Sequence, residues 1–271
     1  MDSYFFVPGN RVHKLDSIKS LGVSQIIIDL EDAVKFSERE EIFKKFKNTE
    51  NLKQHFVRIP LFNEKEVLDL HFLNNFIALG YTKFVFPKLN SFEEVSKVFN
   101  SINNINLQVI LLIETPRLFL EAKEVLLTFK RFVTGIGIGS HDFMSVVGGE
   151  HSLKNLEFLR QQLLYLARMI NITAIDIASM NLNEEEAFKE EVLDGFKKGY
   201  DAKFFIHPWQ FKTYQELKLY SKEEYIWATK ILTTLKEVGS EEEFNPIVID
   251  GEVIERPHLN KAKKINKYYK K

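Results

Sequence analysis

The chain has 271 residues, of which 45% are hydrophobic and 28% charged, so it can bury the core of one substantial globular domain. Its formal net charge of −1 gives no general attraction to nucleic acid or to an anionic membrane, and neither partner is expected. Cysteine is absent, which excludes disulfides, thiolate nucleophiles and cysteine metal sites. The sequence shows no basic signal segment and no apolar run of the roughly 20 residues that span a bilayer, so we expect a cytoplasmic protein.

Eight short, strongly apolar runs recur along the chain, and stretches with helical periodicity separate them. Some, such as Val109–Ile113, are continuous in apolar residues, which is typical of strands buried on both faces of a parallel sheet. Strands that alternate with helices predict an α/β fold, here a closed (β/α)8 TIM barrel, with an open doubly wound sheet as the alternative. The predicted strands are Tyr4–Val7, Gln25–Leu30, His55–Ile59, Lys83–Phe86, Gln108–Ile113, Phe132–Ile138, Thr173–Ile177 and Phe204–Ile206.

Apolar residues at helical spacing predict helices between and after these strands. The clearest are Phe92–Ser101, Leu153–Ile170, Glu185–Gly199 and about Glu223–Glu237. We expect residues 1–238 to form the barrel domain and residues 239–271 a short C-terminal helical and extended extension, with a turn within Asn245–Glu252. The lysine-rich stretch Asn260–Lys271 fits either a basic patch for nucleic acid or membrane, or a solvated terminal helix that frays. The overall charge near zero favours the second interpretation.

Ionisable or turn-forming residues end nearly every predicted strand. In a parallel barrel the C-terminal ends of the strands meet at one face, where enzymes of this fold carry their chemistry. An ionisable side chain there is costly to bury unless it is paired or bound to a metal. We therefore expect a site with both carboxylates and cations. In strand order, the residues concerned are Pro8–Arg11, Asp29–Asp32, Arg58, Pro87 with Lys88, Glu114 with Thr115, Gly139–Asp142, Asp176 with Ser179, and His207 with Pro208.

Two carboxylates, Glu114 and Asp142, end the adjacent fifth and sixth strands. Oxygen ligands from neighbouring strands, with room for water and substrate oxygens, suit Mg2+ or Mn2+. The alternative is a buried carboxylate that accepts backbone amides, with Asp142 capping the next helix. Arg58 ends a buried strand and could bind a substrate carboxylate through two parallel hydrogen bonds, or pair with Asp29 or Glu31. No histidine or cysteine cluster indicates zinc.

The glycines of Gly135–Gly139 alternate inside a predicted strand. They lack the GxGxxG spacing of a phosphate-binding loop, so we interpret them as close packing within the barrel.

In order along the chain, these segments resemble the citrate lyase beta-subunit family, within the larger HpcH/HpaI aldolase superfamily. Phe5–Arg11 resembles the family's opening LFVPGNRP, Asp29–Val34 matches its DLEDAV segment, and Val57–Ile59 resembles VRIN, with Pro60 in place of asparagine. Each match is weak alone, but the ordered set across nearly the whole chain is specific. The further matches are Pro87 with Lys88, Ile113–Thr115, Gly139 with Asp142, Phe143 and Gly148, and Ile206–Pro208 with Gln210.

The resemblance implies a carbon–carbon lyase that binds Mg2+, with Mn2+ as the alternative, through Glu114 and Asp142. It implies that Arg58 holds the carboxylate of the keto-acid half of the substrate. It also implies further substrate contacts from Pro87 and Lys88.

The same resemblance gives roles to residues around this centre. The acidic residues Asp29, Glu31 and Asp32 would orient metal-bound water and Arg58. Arg11 lies where the family approaches the coenzyme A moiety. Family substrates are citryl, malyl or citramalyl thioesters of coenzyme A, or of an acyl carrier protein in citrate lyase itself, and the products are an acyl thioester and a keto acid.

Related lyases protonate the enolate product with an aspartate from a C-terminal motif that reaches a neighbouring subunit's site. Glu255 occupies that position here, which keeps the acid but moves it outward by one methylene. A misplacement near 1 Å can cost on the order of 100-fold in rate. The resemblance thus implies that the extension completes a neighbour's site in a homo-oligomer, a homotrimer or a multiple of one.

Two segments depart from the family pattern and leave the acyl group open. Asp176–Leu182 replaces a longer stretch richer in glycine and aspartate, and Ala202-Lys203 replaces Gly-Lys. Besides a lyase, we consider a condensation of the malate synthase type or a thioesterase on the same site. A non-catalytic thioester-binding homologue is the third alternative.

Overall fold

The computed structural model describes residues 1–47, 49–102, 106–238 and 245–270. In the first part of the chain eight parallel strands close into a barrel, in which each strand pairs with its sequence neighbours and the first pairs with the eighth. The closed barrel, rather than the open sheet, is therefore confirmed. The strands are β1 Asp2–Pro8, β2 Gln25–Asp29, β3 Phe56–Arg58, β4 Lys83–Phe86, β5 Gln108–Ile113, β6 Val133–Ile138, β7 Thr173–Asp176 and β8 Ala202–Phe205.

Helices surround the strands and bury one apolar stripe each. Side chains at their starts satisfy free backbone N–H groups, as where Ser91 accepts from Glu94 N–H and Ser152 from Asn155 N–H. The helices of this part are α1 Leu15–Lys19, α2 Arg39–Lys47, α3 His71–Ala78, α4 Phe92–Ser101, α5 Pro116–Phe129, α6 Ser140–Val147, α7 Leu153–Ile170, α8 Glu185–Lys198 and α9 Pro208–Glu216.

The inside of the barrel is filled by apolar side chains from the strands. Its centre is the cluster Ile27, Phe56, Val85, Ile110, Leu112, Ile175, Ala202 and Phe204. The Phe204 ring lies over Gly137, where an added Cβ would come within 2.5 Å of the ring. The predicted close packing of the β6 glycines is therefore confirmed at this position.

Strand β8 begins at Ala202 and not at the predicted Phe204. Lys203 breaks the apolar run but is fully buried, and its Nζ donates to Ile177 O at 2.8 Å and to Glu191 at 2.6 Å. A buried lysine with two partners can remain inside a strand, and no local pattern reveals those partners.

The chain divides into two compact units, residues 1–216 and 217–271. The second unit contains α10 Lys222–Val238, the antiparallel pair β9 Ile247–Ile249 and β10 Glu252–Ile254, and α11 Arg256–Tyr269. Asp250 and Gly251 join the two strands with φ of 53° and 81°, the backbone of a tight hairpin turn, which confirms the predicted turn. The boundary between the two units, at 216/217, lies before the predicted boundary at 238/239, because α10 packs within the second unit.

The C-terminal helix is present as predicted, but it is packed on one face, so the predicted fraying is wrong. Leu259, Ala262 and Ile265 are buried in a cluster with residues of α10 and the hairpin. The hydroxyl of Tyr268 donates to Leu217 O and accepts from Leu219 N–H, both at 3.2 Å. The lysines lie on the face that these residues leave exposed, and no helix in the described ranges has the length and apolarity needed to cross a bilayer.

Candidate active site and metal centre

A cavity of about 250 Å³ lies among residues at the C-terminal ends of the barrel strands. Five of the residues predicted to act in catalysis, substrate binding or metal binding line it, namely Asp29, Asp32, Arg58, Glu114 and Asp142. Its wall consists of Phe6, Asp29, Asp32, Arg58, Leu112, Glu114, Ile138, Gly139, Ser140, His141, Asp142, Ala178, Met180, Phe204 and Ile206. Since these residues come from seven different strands or the loops after them, the closed barrel is what assembles the site.

Arg58 is held by three carboxylates from the end of β2. Asp29 and Arg58 face each other in the register of β2 and β3, and two parallel hydrogen bonds of 2.7 and 2.6 Å join them. A second terminal nitrogen, Nη1, lies 3.0 Å from Asp32 and 3.5 Å from Glu31. Burial alone would lower the pKa of Arg58, but these carboxylates, Asp29 foremost, raise it. The pairing with Asp29 is thus present in the structure, and binding of a substrate carboxylate by Arg58 stays a prediction.

Lys88 contacts two of these carboxylates with its side chain and Glu114, a predicted metal ligand, with its backbone. Its Nζ lies 2.6 Å from Glu31 and 2.7 Å from Asp32. Its backbone has φ of 57°, in the left-handed region that non-glycine residues seldom adopt. In that conformation the Lys88 backbone N–H donates to Glu114 Oε2 at 2.5 Å. An unfavourable backbone conformation at a cavity edge that aims a donor at one carboxylate is typical of a functional site.

Glu114 is positioned by the turn from β5 into α5. Thr115 caps that helix by accepting from Leu118 N–H at 3.2 Å, and Pro116 opens its first turn. The Glu114 side chain lies against Gly139, where a Cβ would be 2.5 Å from both its Cγ and Oε1. Glycine at 139 therefore creates the space that this carboxylate occupies.

Burial raises the pKa of Glu114 to about 8, since its carboxyl group is almost fully enclosed. The Lys88 N–H and Arg58 oppose that effect, while the nearby carboxylate of Asp142 adds to it. Burial also raises the pKa of Glu31, whereas Arg58 and the hydrogen bonds from Glu31 and Lys88 outweigh burial at Asp32 and lower its pKa. The cluster thus gathers negative charge that a bound cation would stabilise.

The donor set at this end of the cavity fits Mg2+. Asp142 lies in the first turn of α6, but the residue that caps this helix is Gly139, without a side-chain hydrogen bond, so Asp142 is not the predicted cap. The other part of that alternative, a buried carboxylate that accepts a backbone amide, is present at Glu114. No group of three or more His, Cys, Asp or Glu side chains in the described ranges has metal-site geometry. Mg2+ requires fewer protein ligands, because one or two carboxylates with water and substrate oxygens suffice. Glu31 does not line the cavity; its buried Oε2 has no hydrogen bond of good geometry and lies 3.5 Å from Arg58 Nη1.

Other predicted residues lie elsewhere. Asp176 does not face the cavity: it is fully buried against α7, where Arg160 donates to both its oxygens at 2.9 and 2.7 Å. The prediction for Asp176 was wrong because successive strand residues point to opposite faces of the sheet. Ile175 points into the barrel, so Asp176 points outward to the helices. Arg11 is exposed on the turn after β1, outside the cavity wall, and Pro87 is buried beside Lys88.

Glu255, the predicted catalytic acid, lies in the second unit and is the N-cap residue of α11. Its side chain accepts from the His258 backbone N–H, and its own N–H donates to His258 Nδ1 at 3.0 Å. This reciprocal arrangement stabilises the start of the helix. Its action in a neighbouring subunit's site stays a prediction.

Ser140 and His141 lie in the predicted strand-end segment Gly139–Asp142 and line the cavity, although no individual role was predicted for them. Ser140 is buried in the wall, its Oγ is 2.9 Å from His151 Nε2, and the His151 ring stacks on His141 at 3.8 Å. The apolar wall residues, Phe6 and Phe204 among them, were missed because they look like ordinary strand residues. Their alternation with outward-facing neighbours was the available signal.

Comparison with known proteins places this geometry in a family context. The model of the HpcH/HpaI aldolase/citrate lyase family matches residues 2–208. The chain is 26% identical over 282 residues to citrate lyase subunit beta of Haemophilus influenzae, across 96% of this chain and 94% of that protein. It is 25% identical over 284 residues to the mitochondrial citramalyl-CoA lyase of Homo sapiens, across 95% of this chain and 82% of that protein.

Solved structures share the fold. CitE from Mycobacterium tuberculosis, in complex with magnesium, acetoacetate and coenzyme A, aligns with 100% of this chain and 98% of its own. The TM-score is 0.81 at 21% sequence identity.

Proposed function

Since this chain belongs to the HpcH/HpaI aldolase/citrate lyase family, we propose that it cleaves a short 3-hydroxyacyl thioester into an acyl thioester and a 2-keto acid, with Mg2+ as cofactor. The broader class, a carbon–carbon lyase, is supported by the family and by the relatives of that activity. The observation that carries the proposal is the pair of carboxylates, Glu114 and Asp142, in one cavity with the Arg58 network.

Glu114 and Asp142 would hold the metal, with Glu31 accepting a hydrogen bond from a metal-bound water. When bound, Mg2+ would lower the pKa of a coordinated hydroxyl and polarise a carbonyl oxygen. The magnesium in the related CitE structure supports this choice. Mn2+, which favours similar oxygen ligands, would be the replacement.

The chain's own residues would orient the substrate. Asp29 locks the Arg58 guanidinium in place, and Arg58 would donate to the substrate carboxylate from its cavity side. Lys88 keeps Glu31 and Asp32 in position through contacts of 2.6 and 2.7 Å. These ion pairs would hold the side chains in one position, and catalytic groups must be held to within about 0.5 Å. Pro87 supports Lys88, and exposed Arg11 would contact the coenzyme A or carrier-protein end of the substrate.

In the cleavage the hydroxyl proton would pass to one neighbouring carboxylate, the O–H electron pair would form the carbonyl of the keto acid, and the electron pair of the broken C–C bond would become the enolate of the acyl thioester. The resulting enolate must then take up a proton from an acid. We assign that acid to Glu255 of an adjacent subunit in a homo-oligomer, a trimer or a multiple. Because Glu255 caps α11 in the structure, its carboxyl group would have to release the His258 N–H to act.

Keto-acid release tests the proposal. Purified protein is incubated with citramalyl-CoA, malyl-CoA and citryl-CoA, with Mg2+ and then with EDTA, and acyl-CoA and keto acid are measured together. We expect EDTA-sensitive, equimolar release from at least one thioester. Glu114→Gln should abolish it, whereas Glu124→Gln, the same change at an exposed glutamate of α5, should not.

Products separate the alternatives. Free coenzyme A without keto acid would indicate a thioesterase, and condensation would appear as thioester formation from acetyl-CoA and glyoxylate. Binding without any product at high protein concentration would indicate a non-catalytic homologue. Activity that survives both EDTA and Glu114→Gln would refute the metal assignment.

A further inference from the structure

The inner wall of the cavity is apolar. Its deepest side chains belong to or pack against the barrel core, and the rings of Phe6 and Phe204 lie 5.2 Å apart. The apolar wall residues are Phe6, Leu112, Ile138, Ala178, Met180, Phe204 and Ile206. A substrate group that faces this wall loses its hydration and gains no hydrogen bond from it.

Cations in this cavity already have partners. Among the described residues of the wall, Arg58 is the single lysine or arginine. Its Nε and Nη2 donate to Asp29 and its Nη1 lies 3.0 Å from Asp32, so its remaining N–H groups can serve one substrate carboxylate and no second one. Lys88, next to the wall, is engaged by Glu31 and Asp32. Asp29, Asp32, Glu114 and Asp142 place four carboxyl groups in the wall against the single guanidinium of Arg58.

The substrate class proposed above has three substituents to place besides the hydroxyl on its carbinol carbon. One is the carboxylate, for which Arg58 and the Glu114–Asp142 end are available. Another is the methylene that leads to the thioester. The third must then lie against the apolar wall, since no further lysine or arginine is present among the described wall residues.

We propose that this third substituent is hydrogen or methyl, so that the keto-acid product is of the glyoxylate or pyruvate type and not of the oxaloacetate type. This inference rests on the proposed function and narrows its substrate class. A second carboxylate in that place would be desolvated, unpaired and repelled by four neighbouring carboxylates. Phe6 and Phe204 thereby act as specificity-determining residues.

Binding of the keto acids alone tests this, without reliance on turnover. Pyruvate, glyoxylate and freshly dissolved oxaloacetate are titrated into the protein by calorimetry with and without Mg2+, and decarboxylation of oxaloacetate is followed in the same samples. All titrations are run in the same buffer at one fixed pH. We expect pyruvate or glyoxylate to bind in a Mg2+-dependent manner, at least tenfold more tightly than oxaloacetate.

A matched pair of variants strengthens the test. Met180→Arg places a cation at the wall, on a side chain that is 54% exposed and can carry it with little cost to the fold. We expect it to remove or reverse the preference against oxaloacetate. Met169→Arg makes the same change at an exposed methionine of α7, outside the cavity, and should leave the preference unaltered.

Each outcome decides a different point. Mg2+-dependent binding of oxaloacetate as tight as that of pyruvate would overturn the inference and leave the proposed function standing. Absence of Mg2+-dependent binding by all three keto acids would overturn both. An unchanged preference in Met180→Arg would show that the wall does not set it, and so would overturn the assignment to this cavity.

Discussion

Gly139→Ala tests whether the position of Glu114 controls the site. In the structure a Cβ at residue 139 would be 2.5 Å from Glu114 Cγ and Oε1, whereas ordinary contact begins near 3.4 Å. The Glu114 side chain would therefore have to retreat by about 0.9 Å. Gly139 itself has φ of −83°, which any residue can adopt, so the change introduces no backbone strain.

A displacement of about 1 Å in a positioned group can lower a rate on the order of 100-fold, equivalent to about 2.7 kcal/mol of transition-state stabilisation. We expect keto-acid release to fall by about that factor. Mg2+ affinity should fall by about 10- to 100-fold, because Glu114 would no longer be held between the Lys88 N–H and Gly139.

The assay combines Mg2+ titration by calorimetry with initial rates of keto-acid release. Gly135→Ala is the matched control, since it lies in β6, which ends directly before Gly139, and its Cβ would be 3.4 Å from the nearest atoms. Circular dichroism and thermal melting of both variants would verify that the barrel is intact. Rates and Mg2+ affinity within twofold of wild type in folded Gly139→Ala would refute the reasoning.

Three further predictions concern other parts of the molecule. Glu255→Gln should stop turnover but leave keto-acid binding unchanged, while Glu255→Asp should retain activity. Gly195→Ala should destabilise the protein by about 3–5 kcal/mol in urea unfolding, because a Cβ there collides with the carboxylate of Asp176 and breaks its buried pair with Arg160. Burial, aided by Lys19 and Lys83, lowers the pKa of His55 to about 4. Between about pH 6.5 and pH 4 the His55 imidazole therefore binds a proton in the unfolded chain but not in the folded chain. The free energy of unfolding consequently decreases as the pH is lowered through this range. His55→Phe should lessen the loss of stability between pH 7 and pH 4.5 by about 2 kcal/mol.

Clear results would contradict each of these. Normal turnover by Glu255→Gln would show that another group protonates the enolate. A Gly195→Ala variant as stable as wild type would mean that Asp176 moves freely. For His55, whose Nε2 is buried without a hydrogen-bond partner, equal acid sensitivity of wild type and His55→Phe would show that the imidazole does not titrate differently in the two states.

Local pattern was sufficient for the architecture. Strands β4 and β5 and helices α4 and α7 have the predicted bounds, because long apolar runs and helical spacing reflect burial directly. Polar residues at strand ends correctly indicated where the cavity lies, since the C-terminal ends of parallel strands share one face of a barrel. Glu114, Asp142 and Arg58 could be proposed from this alone.

The packing of the C-terminal helix could not be predicted from local sequence pattern. Lysines dominate residues 260–271 and conceal Ala262 and Ile265, whose burial depends on α10 and on the hairpin beyond residue 245. Lys203 and Asp176 show the same limit, because the cost of burying a charge depends on partners that are distant in sequence.

The sequence by itself determined the barrel, the edge that carries the polar residues and the types of group available there. The tertiary structure decided which groups meet: Arg58 with Asp29, the Lys88 N–H with Glu114, and Glu114 with the space above Gly139. The physical reason is that burial and strand order follow from local apolar pattern. Pairing of charges and the pKa values it produces depend instead on distances of a few ångströms between segments far apart in the chain.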